Sequence, residues 1–351
     1  MSPKERWLTV LKRQIPDRTP MDYWGTWEMT QELIAYLGVR DYWEMCARLN
    51  IDAVLHANPK YIGPKLKNGY DFFGRGYQRV AYGVGTYDEV IDHPLAGFRT
   101  IAELEANYTW PTPDWFDYAD ISRQINGKEQ YPVHGGGSEP FYEYTQLRGQ
   151  EQAYLDMVEY PEFLDYCIGK LVDFNYENTR RIFEQLPGKV TYTYIAEDFG
   201  SQENLLFSPT SIRKFFFPGM RRMIELAKEA GVYVFTHSDG AIRKIIPDLI
   251  DIGIDILNPI QWRCNGMERA GLKRDFGEVL IFHGGMDNQY TLPFGTVEEV
   301  RQEVIDNLEI LGEDGGYILA PCHNIQAISP PENIVAMYQT GYEFGTIPYK
   351  K

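Results

Sequence analysis

The sequence predicts a (β/α)8 TIM barrel, an α/β fold, in a single domain over residues 1–351, and three observations carry that reading. From residue 190 onward, short apolar β-branched runs alternate with amphipathic stretches. That is the pattern of βα units around a parallel sheet buried on both faces. The length of 351 residues suits one large barrel with insertions. Each apolar run is followed by polar residues, and barrel enzymes build their sites at the C-terminal strand ends.

In chain order, 28–37 and 41–49 read as helices and 52–55 as a strand. Gly, Pro and Tyr clusters hide any period from 58 to 115, which reads as an insertion or lid, because loops that long are usually functional or disordered. A strand at 131–134 and helices at 150–156 and 161–186 follow. Strands at 190–195, 232–235, 255–258, 279–282 and 317–319 then alternate with helices at 209–230, 241–252, 266–274, 297–312 and 332–343. Several of these helices open on Pro, Thr or Asp in capping positions. No repeat, low-complexity tract or domain linker interrupts the chain.

Hydrophobic residues at 44% and charged residues at 24% support a sizeable core rather than disorder. A net charge of -16 opposes phosphate backbones and anionic lipid, so nucleic acid and membranes are not the expected partners. A small molecule or another protein fits better, and a homodimer is compatible with the sequence. No segment approaches the roughly 20 apolar residues that span a bilayer, and the start of the chain has no uninterrupted apolar stretch; the expected location is cytoplasmic. The four cysteines are too few and scattered for a disulfide framework. Aromatic residues reach 14%, which suggests an aromatic-lined pocket beside ordinary core packing.

The candidate site residues follow the strands: Glu197 and Asp198, His237 and Asp239, Asn258 and Gln261, His283 and Asp287, then Cys322 and His323, with His134 after an earlier strand. His237 and Asp239 are two apart, and the period of two puts both on one face. An imidazole and a carboxylate suit zinc, which the Cys322 thiolate would complete; equally, they suit a hydrogen-bonded pair that orients an acid or base. Cys322 and His323 are adjacent, so one of them faces the site directly, and a free cysteine is often simply buried. One of Glu197 and Asp198 is expected to face inward, the other reading being a helix cap or a bond to a loop amide. His283 in FHGGMDNQ and His134 in HGGGSEP sit among glycines that let a ligand approach closely. Neither stretch matches a phosphate-binding or dinucleotide-binding loop, so nucleotides are not indicated.

The stretches THSDGAIRKIIPDLIDIGIDILNPIQ, LKRDFGEVLIFHGGMDNQYTLPFGTVEEV and GGYILAPCHNIQAISPPENI, with the early IPDRTPMDYW, resemble the uroporphyrinogen decarboxylase-like superfamily over nearly the whole chain. The resemblance implies a distorted barrel and one of two chemistries. Decarboxylases of this type carry an arginine segment, PVWxMRQAGR, where this chain reads MDYWGTWEMT without arginine. Cobamide-dependent methyltransferases carry zinc on a His-x-Cys pair and a later Cys, which fall here on His237, Asp239 and Cys322. Asp239 departs from that pattern. A carboxylate in place of a thiolate leaves more positive charge on zinc and favours polarising an oxygen over capturing a thiol.

The resemblance therefore implies a zinc methyltransferase that moves a methyl group from a small O-methyl donor, such as a methoxylated aromatic, to the cobalt of a corrinoid (cobalamin) on a partner protein. Glu197 and His323 are its candidate catalytic groups or fourth ligands. Tyr23, Trp24, Trp27, His134, Tyr192, Tyr194, Asn258, Gln261 and His283 are its candidate substrate contacts. A decarboxylase and a non-catalytic binding barrel are the alternatives.

Overall fold

The computed structural model describes residues 1–346. Seven strands form one sheet, each parallel to the next: β1 Leu55–Ala57, β2 Val133–Ser138, β3 Tyr192–Ile195, β4 Tyr233–His237, β5 Ile256–Asn258, β6 Ile281–Met286 and β7 Tyr317–Pro321. Between β7 and β1 runs an extended segment around Met21. Asp22 N donates to Leu319 O at 2.9 Å, Leu319 N to Pro20 O at 2.9 Å, and Asp52 N to Met21 O at 2.8 Å. This segment takes the eighth position and closes the sheet as a distorted barrel.

All seven expected strands form, displaced towards the C-terminus. His134, His237 and His283 therefore lie within strands rather than just beyond them. The displacement has a local cause at β2 and β6, whose ends are Gly-rich. Glycine is depleted in strands, and here backbone pairing to a neighbouring strand, β3 for Gly137 and β7 for Gly284 and Gly285, overrides that preference. The expected helix 209–230 is two, Pro209–Phe215 and Phe217–Glu229, because Pro218 has no amide to continue the ladder. Helices Pro3–Leu11 and Pro140–Arg148 were not anticipated. Residues 58–115 hold an antiparallel pair, Gly76–Ala81 with Thr86–Asp92, and a helix, Ile101–Asn107. Thr86 Oγ1 donates to Glu28 Oε1 at 3.0 Å and ties the pair to helix Trp27–Leu37.

The barrel has two apolar cores. The larger lies between sheet and helices, and a smaller one fills the barrel with Val54, Tyr192, Phe235, Ile256, Ile281 and Ile318. Helix Pro3–Leu11 plugs the lower end, and its buried Trp7 stacks on Tyr192 at 5.4 Å. Beneath β1, Asp52 accepts from Arg18 Nη1 at 2.8 Å and also bonds Arg6, which anchors the segment leading to Met21. Two residues beyond five of these six, the chain presents His56, Tyr194, His237, Asn258 and His283, and beyond Ile318 it presents Ala320. Strand alternation returns these side chains to the interior one layer higher. The barrel is thus dry at the bottom and polar at the top.

Candidate metal centre

Strand β4 ends on His237, and its loop carries Asp239. The loop after β3 carries Asp198. These two loops pack backbone on backbone through Gly200 and Gly240. A Cβ on Gly200 would lie 2.5 Å from Asp239 O, and Gly240 has φ of +88°. Asp239 N donates to Asp198 Oδ1 at 3.0 Å, and Gly240 N donates to Gln261 Oε1 at 2.8 Å. The result is a group in which ligand atoms of Asp198, His237 and Asp239 all lie within 4.8 Å of one another. His237 Nε2 is 3.7 Å from Asp198 Oδ1 and 3.9 Å from Asp239 Oδ1. Tetrahedral zinc with bonds of about 2.0–2.2 Å separates its ligand atoms by roughly 3.4 Å, so one imidazole and two carboxylates fit with small adjustments.

Cys322 is not part of this group. Its buried thiol donates to Ile260 O at 3.4 Å, and burial pushes it up from the ordinary thiol range. The sequence reading set Cys322 beside His237 and Asp239; the third group within 4.8 Å of both is Asp198. His237 Nδ1, on the far side of the ring, meets Asn258 Oδ1 at 2.6 Å. Asn258 Nδ2 meets His283 Nδ1 at 2.7 Å, and His283 Nε2 meets Asp22 Oδ2 at 3.0 Å. Trp24 Nε1 donates to that same Asp22 oxygen at 3.0 Å.

Acidic groups surround the centre. Burial, then the charge on Asp198, pushes the Glu139 carboxyl up to about 8. Burial raises Asp239 as well, against the pull of His237. Carboxyls crowded around one imidazole resist ionising together, and a cation between Asp198 and Asp239 would relieve that.

The other expected residues divide into those at the centre and those elsewhere. Tyr194 packs against His237 with ring centroids 5.9 Å apart, and Trp24 against it at 6.0 Å. Glu197 is turned away: its carboxylate accepts from Phe141 N at 2.7 Å and Tyr142 N at 3.3 Å, capping helix Pro140–Arg148. The alternative reading had put it on the helix at 209, which Ser208 caps instead; Glu197 caps a helix the sequence hid. His323 is exposed, with its backbone held by Asn288. Tyr192 belongs to the apolar layer, packed between Trp7 and Phe235. Trp27 opens a helix with 73% of its surface exposed. His134 Nδ1 lies 3.0 Å from His56 Nδ1, and burial pushes His134 down to about 3, so both rings are neutral near pH 7.

A cavity of about 590 Å³ lies beside Trp24, lined also by Tyr23, Tyr42, Trp43, His56 and Lys128. Tyr23 keeps its hydroxyl on Thr30 Oγ1 at 2.9 Å. Aromatic walls with a few polar groups suit a flat organic molecule. Asp22, His56 and Glu139 were not anticipated. Asp22 carried a signal, since an extended segment with Trp24 two residues on points both inward.

A family model described as uroporphyrinogen decarboxylase matches residues 86–344. The uroporphyrinogen decarboxylase of Pseudoalteromonas translucida is 23% identical over 384 residues, covering 99% of this chain and 98% of that protein. The protein of the same name from Carboxydothermus hydrogenoformans is 22% identical over 227 residues, 63% of this chain and 57% of its own length. Among solved structures, a methyltransferase from Methanosarcina mazei superposes with a TM-score of 0.68 at 20% identity, covering 98% of this chain and 99% of that one. That likeness shows the shared barrel.

Proposed function

The chain belongs to the uroporphyrinogen decarboxylase family, and within it we propose that it is a zinc-dependent methyltransferase. It would move a methyl group from a small O-methyl donor, such as a methoxylated aromatic, to the cobalt of a corrinoid carried by a partner protein. The observation that carries this reading is the Asp198, His237 and Asp239 group at the barrel mouth, with Trp24, 6.0 Å from the His237 ring, also lining an aromatic cavity. The methyltransferase neighbour is consistent with it.

Asp198, His237 and Asp239 would hold the metal, which supplies Lewis-acid polarisation of the ether oxygen. Two carboxylates neutralise its charge less completely than thiolates would, which suits an oxygen leaving group. Trp24 and Tyr194 flank His237 and keep water from one side of the centre. The oxygen that loses its methyl group must take up a proton. Glu139 holds one on its carboxyl near pH 7 and is the nearby group able to give it.

The names of the curated relatives favour a second reading, a decarboxylase. Against it, none of the residues that form the centre is an arginine, the side chain best suited to hold a substrate bearing several carboxylates. The test is purified protein with zinc, a reduced corrinoid protein and a panel of methoxyarenes. Growth of methylcorrinoid absorbance supports the methyltransferase. Absence of it with every donor, together with metal-independent porphyrinogen turnover, would establish the decarboxylase.

A further inference from the structure

We infer that Asp22 sets the tautomer of His237 from three hydrogen bonds away, acting as a positioning residue through His283 and Asn258. The four groups form one chain, branched only at Asp22, which also accepts from Trp24 Nε1 and Tyr23 N: Asp22 Oδ2 to His283 Nε2 at 3.0 Å, His283 Nδ1 to Asn258 Nδ2 at 2.7 Å, and Asn258 Oδ1 to His237 Nδ1 at 2.6 Å. His283 and Asn258 are fully buried, and Asp22 and His237 nearly so, leaving little water to offer these atoms other partners. Donor and acceptor roles must therefore be satisfied within the chain.

Asp22 starts the sequence because a carboxylate only accepts. His283 must then donate from Nε2, and a neutral imidazole that donates there accepts at Nδ1. The acceptor at Nδ1 calls for the Asn258 amide nitrogen, which turns the amide oxygen towards His237. His237 donates to that oxygen from Nδ1, and the lone pair of its ring is left on Nε2, the atom facing Asp198 and Asp239. The opposite order would set a bare His283 Nε2 against the Asp22 carboxylate, two acceptors face to face in a buried site. Trp24 also donates to Asp22 and supports the carboxylate. The aromatic wall and the histidine are thereby oriented by one residue.

The consequence for metal binding rests on the proposed centre, but the tautomer does not. In the metal-free full-length protein with 15N-labelled histidine at pH 8, long-range 1H–15N correlations should show His237 protonated at Nδ1 and bare at Nε2. Asp22→Leu takes the acceptor away from His283 Nε2, so the chain loses its direction: His237 should become a mixture of Nδ1–H and Nε2–H forms and zinc affinity should fall 10–100-fold. Asn258→Asp in that background restores an acceptor at His237 Nδ1 and should restore the Nδ1–H form.

Finding His237 protonated at Nε2 in the unmodified protein overturns the inference without any variant, as does a tautomer unmoved by Asp22→Leu. If the tautomer moves as expected while the unmodified protein takes up no zinc, the inference stands and the metal reading falls.

Discussion

His283 and Asp22 are 261 positions apart in the chain and share a hydrogen bond of 3.0 Å. That bond joins strand β6 to the segment closing the barrel, and it begins the polar chain behind His237. Only the closed barrel brings these two residues together. The centre is therefore a product of closure: His237 ends a strand of the closed barrel, and Asp198 and Asp239 stand on the loops beyond two of its strands.

The grouping of Asp198 with His237 and Asp239 predicts the order of metal loss. His237→Ala, Asp198→Ala and Asp239→Ala should each lose most bound zinc in elemental analysis, and Cys322→Ala should retain it. A cobalt(II)-substituted protein should lack thiolate charge-transfer absorption. Full metal in Asp198→Ala with loss in Cys322→Ala would return the thiolate to the ligand set.

Gly240 holds the β3 and β4 loops together at a φ of +88°, and a Cβ there meets the Gly200 backbone. Gly240→Ala should cost about 1–3 kcal/mol in strain alone. It should also part Asp198 from Asp239, weakening zinc binding more than a distant substitution of equal cost. Calorimetry and zinc titration on the same preparations check both parts; loss of stability with unchanged zinc affinity would show that the loops position the ligands independently.

Trp7 is fully buried in the lower layer and stacked on Tyr192 at 5.4 Å with an interplanar angle of 7°. Truncation to alanine removes most of the plug and should cost about 3–5 kcal/mol. Denaturant unfolding measures this. A cost below about 1 kcal/mol would mean that helix Pro3–Leu11 contributes little to the barrel.

Burial pushes the Glu143 carboxyl up to about 7 from its ordinary 4.5, against an Asn175 Nδ2 bond of 3.2 Å. Below about 4.5 both folded and unfolded chains keep this proton, and the contribution of the group is fully present. Between 4.5 and 7 only the folded chain keeps it, so stability falls as pH rises through that window. Glu143→Gln should flatten this decline by roughly 1–2 kcal/mol after solvent screening. Superimposable pH profiles for the two proteins would contradict it.

The parallel strands were legible because their apolar runs have no solvent face to alternate with. Strand ends were less so: Gly135 to Gly137 and Gly284 to Gly285 continue the sheet against their own preference. His237 and Asp239 were legible as a pair because two positions suffice to compare their faces. Asp198 was visible beside Glu197, but which of the two turns inward depends on helix Pro140–Arg148, whose N-terminus draws Glu197 away. Cys322 follows a similar logic, since its thiol finds the Ile260 carbonyl only once two loops have met. The closing segment was hidden most deeply. It carries isolated bridges and no regular strand, and its hydrogen bonds reach partners at Leu319 and Asp52.

That segment also sets an order of events during synthesis. Pro20 and Asp22 leave the ribosome roughly 300 residues ahead of their partner Leu319, about 15–60 s at ordinary elongation rates of about 5–20 residues per second. Until then this segment has one strand neighbour instead of two. The nascent chain must carry it unsealed while β1 to β6 are made, and β7 is the strand that seals it.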